Sequence, residues 1–335
     1  MTNARRLLLA LAVLTLLATA CASDDATVAT PTDDGGGDAA TPADDGATPA
    51  DDGATPADDG GGGADLSGQS FKVGSKEFTE NVILGQIAIQ VLQDAGAEVE
   101  DLTGLIGSAT VREALTSGEV DMYWDYTGTG WVQILGNEPT NFPDDLYSAV
   151  AEADAENGVT WLDPAPFQDT YRLAVTRDFA EENGLANMSD VAGSDAEQTL
   201  CAASEFVNRA DGLIGLEETY GTDFSVTELD LGLVFTQLGQ SCNFGEVFST
   251  DGRIIAQDLV VLEDDEEFFI PFNGVLTVRT EVLDANPGIA DLFGPVSEAL
   301  DNETITTLNA QVDVDGESPE DVARGFLVDN GMISE

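Results

Sequence analysis

From residue 66 onward, apolar positions along the chain fall into two alternating rhythms. Short strand-like runs occupy 71–74, 99–102 and 120–124, then 171–176, 199–203, 226–229, 246–248, 259–262 and 275–278. Helix-period runs separate them at 79–95, 109–117, 127–135, 146–157, 212–220 and 231–238. Near the end, Ser318-Pro319-Glu320-Asp321 is a helix start: a capping serine, a proline at the first position, then acids on the helix dipole. Strands and helices alternating over this length predict α/β architecture, with parallel sheets covered by helices and arranged in two lobes. Ligands of such sheets bind beyond the carboxyl ends of strands. That rule points to the loops 75–79, 126–130 and 248–252.

The pattern before residue 66 is different in kind. Arg5 and Arg6 precede an apolar run at 7–17, which has secretory length and is too short to span a bilayer. The run ends in Ala18-Thr19-Ala20-Cys21, which resembles a bacterial lipobox with Ala18 where Leu is usual. The expectation is a signal peptide over 1–20 and a lipid on Cys21; a plain secretory peptide cleaved near Ala20 is the alternative. Residues 21–65 repeat Thr-Pro-Ala-Asp-Asp-Gly and hold hardly any apolar side chain larger than alanine. Nothing there offsets the entropy of ordering, so a disordered, self-repelling tether is expected. Paired Asp-Asp-Gly repeats also suggest calcium, but the loop spacing and bidentate glutamate of a calcium loop are missing. No metal or other cofactor is expected.

Composition narrows the function. The chain has 64 acidic residues against 11 basic ones, a net charge of −53, which excludes binding nucleic acid by phosphate neutralisation. It has no histidine, so Ser-His-Asp and Cys-His catalysis are out. A hydrophobic content of 42% is ordinary, so the acidity coats a normal core. Such charge suits a high-salt habitat, the halophile's, where counter-ions screen self-repulsion. Thr127-Gly128-Thr129-Gly130 lacks the lysine of a phosphate loop. The acidic run Asp264-Asp265-Glu266-Glu267 reads as solvated loop.

Four segments form an ordered set: Val73-Gly74-Ser75-Lys76-Glu77-Phe78-Thr79-Glu80, Tyr123-Trp124-Asp125-Tyr126-Thr127-Gly128-Thr129-Gly130, Phe248-Ser249-Thr250-Asp251-Gly252-Arg253 and Gln311-Val312-Asp313-Val314. Together they resemble the glycine betaine/choline-type substrate-binding proteins of osmoprotectant ABC transporters, the OpuAC-like family, from about Phe71 to Gly331. The resemblance implies a two-lobed type II periplasmic-binding-protein fold with a two-strand hinge. It puts the binding domain at 66–335, with lobe one at 66–171 and 275–335 and lobe two at 172–274. It also implies a quaternary-ammonium ligand, a partner permease with its ATPase, an extracytoplasmic location and no catalysis.

Carried over residue by residue, the resemblance places an aromatic cage on Tyr126, Tyr171, Phe248 and Phe272. A trimethylammonium donates no hydrogen bond, so ring faces and carbonyl oxygens must hold it, each ring contributing roughly 0.5–2 kcal/mol. Phe248 and Phe272 stand where tyrosine is usual, and core packing is their alternative role. A carboxylate clamp falls on Lys76, Thr129 and Arg209, with salt bridging to the acidic excess as the alternative for the two cations. By the same resemblance the Asp169 carbonyl faces the ammonium, and Ser108 and Thr110 line the region.

With Cys21 assigned to lipid, Cys201 and Cys242 remain as an even pair in an exported setting, and a disulfide is expected. Separate buried thiols are the alternative. Three functions stay open: delivery of a betaine-class solute to a permease, the same fold binding an amino acid or another small zwitterion, and a secreted carboxylate-based hydrolase. The hydrolase needs paired acids in the cleft.

Overall fold

The computed structural model describes residues 64–334. The expected signal peptide, Cys21 and all but the end of the acidic tether lie outside the described residues.

Ten strands build the domain: β1 (Ser70–Lys76), β2 (Glu98–Leu105), β3 (Met122–Tyr126), β4 (Val159–Trp161), β5 (Tyr171–Thr176), β6 (Thr199–Ala202), β7 (Ser225–Glu228), β8 (Phe244–Phe248), β9 (Leu259–Val261) and β10 (Gly274–Arg279). They form two five-stranded sheets, ordered β2-β1-β3-β10-β4 and β7-β6-β8-β5-β9. The two orders have the same plan. β1 is parallel to β2 and β3, as β6 is to β7 and β8. β10 runs antiparallel to β3 and β4, as β5 does to β8 and β9.

The expectation of parallel sheets therefore fails at one strand in each, for a topological reason. β5 and β10 are the first strands laid down after the chain crosses from one sheet to the other. Each enters its sheet from the cleft, where the neighbouring strands end. The consequence is functional: Tyr171, the first residue of β5, pairs with Phe248, the last of β8. In the other sheet Gly274 pairs with Tyr126 in the same way.

The two crossings, residues 162–170 and 262–273, run side by side. Gln168 and Asn273 form an antiparallel bridge, and the Asp169 N–H donates to the Phe272 carbonyl at 3.0 Å. The Asn273 amide donates to the Ala165 and Phe167 carbonyls at 3.3 and 3.2 Å. Pairing across only this short stretch lets the lobes turn while staying in register, as hinge closure requires.

Helix α1 (Thr79–Asp94) buries Ile83, Leu84, Ile87 and Leu92 completely against the first sheet. The helix Pro319–Asp329 starts as its sequence predicts, with the Ser318 hydroxyl accepting from the Asp321 N–H at 3.1 Å. The structure departs from the local reading at three places. The run 127–135 is a single turn, Thr127–Thr129, followed by a π-helical turn, Gly130–Ile134. β4 has only three residues, too few for alternation to reveal. Asp264, expected in solvated loop, instead accepts from the N–H groups of Phe268 and Phe269 and from the Tyr220 hydroxyl, pinning that loop.

Cys201 in β6 is disulfide-bonded to Cys242, with Cα atoms 5.6 Å apart and a sequence separation of 41. Both are fully enclosed, and closing a loop of that length contributes roughly 2–4 kcal/mol.

Candidate ligand-binding site

The strand ends and the hinge bring the expected rings together. Tyr171 is the hub: its ring centroid is 5.1 Å from Phe248 and 5.6 Å from Phe272, the latter edge-on. Tyr126 stands on the first lobe and is joined to Phe248 by a ring the sequence reading overlooked. Phe78 lies 6.0 Å from Tyr126 and 4.9 Å from Phe248, bridging the lobes. Its signal was present, because Phe78 is inside a quoted motif and precedes α1, whose first turn faces the cleft.

Phe272 is aimed by a glycine. A Cβ on Gly128 would stand 2.5 Å from the Phe272 ring, so only glycine lets the Thr127–Thr129 turn approach so closely. Thr129 follows in that turn, buried and one residue past the contact.

With rings about 5 Å apart the cage is shut. Beside the cage, between Phe78, Phe248 and the polar groups Glu80, Asp169 and Thr250, the cleft leaves only about 10 Å³, room for one water at most. A cation held within about 6 Å of several ring centroids needs facing rings further apart than this. Phe78 and Tyr126 belong to one lobe and Tyr171 and Phe248 to the other, since Tyr171, expected as the last residue of lobe one, instead opens β5 of the second sheet. Turning about the hinge is therefore the motion that separates them.

In this structure both cations of the expected carboxylate clamp are paired with acids of the chain itself. Lys76 forms an ion pair with Asp125 at 2.8 Å while its ammonium sits 5.0 Å over the Tyr126 ring. Arg209 is enclosed, 2% exposed, and stacked 5.5 Å from the Tyr171 ring. Asp211 grips it with both oxygens, from Nε at 2.8 Å and Nη2 at 2.5 Å, and Glu205 takes Nη1 at 2.8 Å. The acidic excess reaches into the site and pairs both cations there. Burial works against the guanidinium charge, but Tyr171, Asp211 and Glu205 raise its pKa above the ordinary arginine value.

Ser108, at the start of the helix Ser108–Ser117, donates to Glu205 from its N–H at 2.9 Å and its hydroxyl at 2.5 Å. Ser108 is on the first lobe and Glu205 on the second, so this contact spans the cleft. Thr110 lies further along the same helix, exposed.

Asp169 has a role its backbone alone did not suggest. Its carboxyl lies beside Glu80 of α1, and the Thr250 hydroxyl reaches Glu80 at 2.6 Å and Asp169 at 2.8 Å. Asn309 and Tyr126 also donate to Glu80, at 3.1 and 2.9 Å. One hydroxyl proton cannot serve two carboxylates, so one acid must carry its own proton. Burial, followed by the Glu80 charge, pushes Asp169 well above the usual carboxylate range. Burial raises Glu80 too, offset in part by its donors. At the far rim Arg253 joins Asp313 across the cleft at 3.2 Å.

Two sheets of one plan, a paired hinge and a ring cluster at the strand ends define a two-lobed binding protein. The chain matches the family model described as the substrate binding domain of ABC-type glycine betaine transport systems over residues 69–329, and it belongs to that family. Members are substrate-binding transport proteins, not enzymes. It is 36% identical to the glycine-betaine-binding protein of Pseudomonas aeruginosa, covering 80% of this chain and 90% of that one. It is 33% identical to the glycine betaine-binding protein YehZ of Escherichia coli, over 78% and 90% respectively. Among solved structures, that of a glycine betaine/carnitine/choline ABC transporter matches with a TM-score of 0.65 at 26% identity, covering 79% of this chain and all of that one.

Proposed function

We propose that this chain captures a quaternary-ammonium compatible solute of the glycine betaine and proline betaine class outside the cytoplasm and delivers it to an ABC permease. Cys21 carries the lipid that holds it to the membrane, and residues 21–65 are the tether. The observation that supports this reading is the convergence of Tyr126, Tyr171, Phe248 and Phe272, with Phe78, where the hinge meets both sheets. The rings offer faces to a cation that cannot donate hydrogen bonds. The surrounding carboxylates make the cleft attractive to positive charge.

The test is titration calorimetry of the mature chain in high salt with glycine betaine, proline betaine, choline, carnitine, ectoine and free amino acids. Saturable binding of at least one methylated ammonium, with no binding of primary amino acids, is the expected result. Preference for a primary amino acid would replace this reading with the small-zwitterion one.

A further inference from the structure

The two cations of the expected clamp each meet carboxylates in this structure, Lys76 that of Asp125 and Arg209 those of Asp211 and Glu205, and all of them belong to the chain. Arg209 is held from one side by Asp211, which takes Nε and Nη2 and leaves Nη1 directed toward the cleft. Glu205 occupies Nη1 with Oε1, and the same carboxylate accepts from both the N–H and the hydroxyl of Ser108 on the opposite lobe. A cationic fork edge, a backbone N–H at a helix start and a hydroxyl are the donors that would receive a bound carboxylate.

Charge points the same way. Lys76 and Arg209 are set against Asp125, Asp211 and Glu205, so these groups together carry one negative charge. A site with that balance is matched by a monocation. A zwitterion brings its own carboxylate and needs the cradle vacated. Burial pushes the Glu205 carboxyl up, but Lys76, Arg209 and Ser108 bring it down to about 2, so it remains anionic.

Resting on the quaternary-ammonium reading, we propose that Glu205 is a specificity-determining residue. Its carboxylate fills the anion cradle of Arg209 and Ser108, competes with a ligand's own carboxylate, and narrows the margin by which the site holds betaines over cations that lack one. A betaine must displace Glu205 before its carboxylate reaches Arg209. Choline binds with Glu205 left in place.

The experiment titrates glycine betaine and choline into the mature wild-type chain and into Glu205→Gln and Glu205→Ala, with thermal unfolding as the check on folding. Glu205 is 27% exposed on the short helix Ser204–Asn208, outside the apolar core, so neither substitution opens the core. The betaine-to-choline affinity ratio should rise about tenfold or more in both variants, the size expected when a charge-assisted contact is released. An unchanged ratio, or equal losses for both ligands, overturns the role of Glu205 and leaves the quaternary-ammonium reading standing. Binding of neither ligand by wild type and variants alike overturns both.

Discussion

Tyr171 and Phe248 are direct partners in the β5–β8 ladder, and their rings stand 5.1 Å apart on the cleft side. Their common face is a matter of register, since a slip of one residue would turn one of the two rings away. Tyr171 also contacts Phe206, Phe269 and Phe272, so it serves the core as well as the cleft. Phe248 is only partly buried, and truncating it separates the two roles. Phe248→Ala should weaken every quaternary-ammonium ligand about tenfold or more while the unfolding midpoint moves little. Tyr171→Ala should cost roughly 3–5 kcal/mol of stability besides abolishing binding. Phe248→Tyr should keep affinity near wild type. Calorimetry paired with thermal unfolding reads all three, and unchanged affinity in Phe248→Ala would remove that ring from the site.

Gly128 offers a test that touches no ligand group. An added methyl would press on the Phe272 ring from 2.5 Å, and that ring is 3% exposed, with little room to retreat. Gly128→Ala should lower stability by about 1–3 kcal/mol and weaken ligand binding by displacing Phe272 from Tyr171. The paired variant Gly128→Ala/Phe272→Leu should recover stability but not affinity. Chemical unfolding and ligand titration of both proteins check this, and full affinity in either would show that Phe272 is core only.

Tyr126 and Phe248 are legible in the sequence because they lie at strand ends inside segments with recognisable order, whereas Tyr171 and Phe272 lie outside those segments and are reached through the resemblance alone. Gly128 is legible as a glycine in a motif, but its reason is the opposing Phe272, 144 positions away, which no local window contains. The reversed strands β5 and β10 escape for a similar cause: strand direction follows from where the chain crosses, not from alternation. The clamp shows the limit most clearly. Lys76 and Arg209 are singled out by scarcity of positive charge, yet scarcity says nothing about which acids reach them. Of the partners, Glu205 alone had a local signal, standing four residues before Arg209 on a short helix. Asp211 is only two residues past Arg209 but carried no helical spacing to mark it, and Asp125 sits in an ordered segment whose pairing with Lys76 across the fold had to come from coordinates.

Glu246 should give the protein a pH-dependent stability with a definite sign. It lies in β8 at 1% exposure, with the Ala203 N–H donating to it at 2.6 Å. Burial pushes its carboxyl from 4.5 to about 8; nearby Glu205 adds to the rise, while the Ala203 hydrogen bond and Arg209 oppose it. Because the folded state holds this proton more tightly than the unfolded one, the stabilisation is complete below about 4.5 and is lost as pH rises through 8. Linkage limits the change to at most roughly 5 kcal/mol for this one group. Asp169 and Glu80, also raised, push in the same direction. Glu205, lowered to about 2, has the opposite sign: its stabilisation is full above 4.5 and fades as pH falls. The maximum should therefore lie at mildly acidic pH. In Glu246→Gln the amide oxygen can still accept from Ala203 and nothing titrates, so the decline between pH 5 and 8 should flatten. Urea unfolding midpoints of both proteins across pH 4–9 in high salt measure this. Parallel curves would mean that Glu246 is ionised in the native protein at neutral pH.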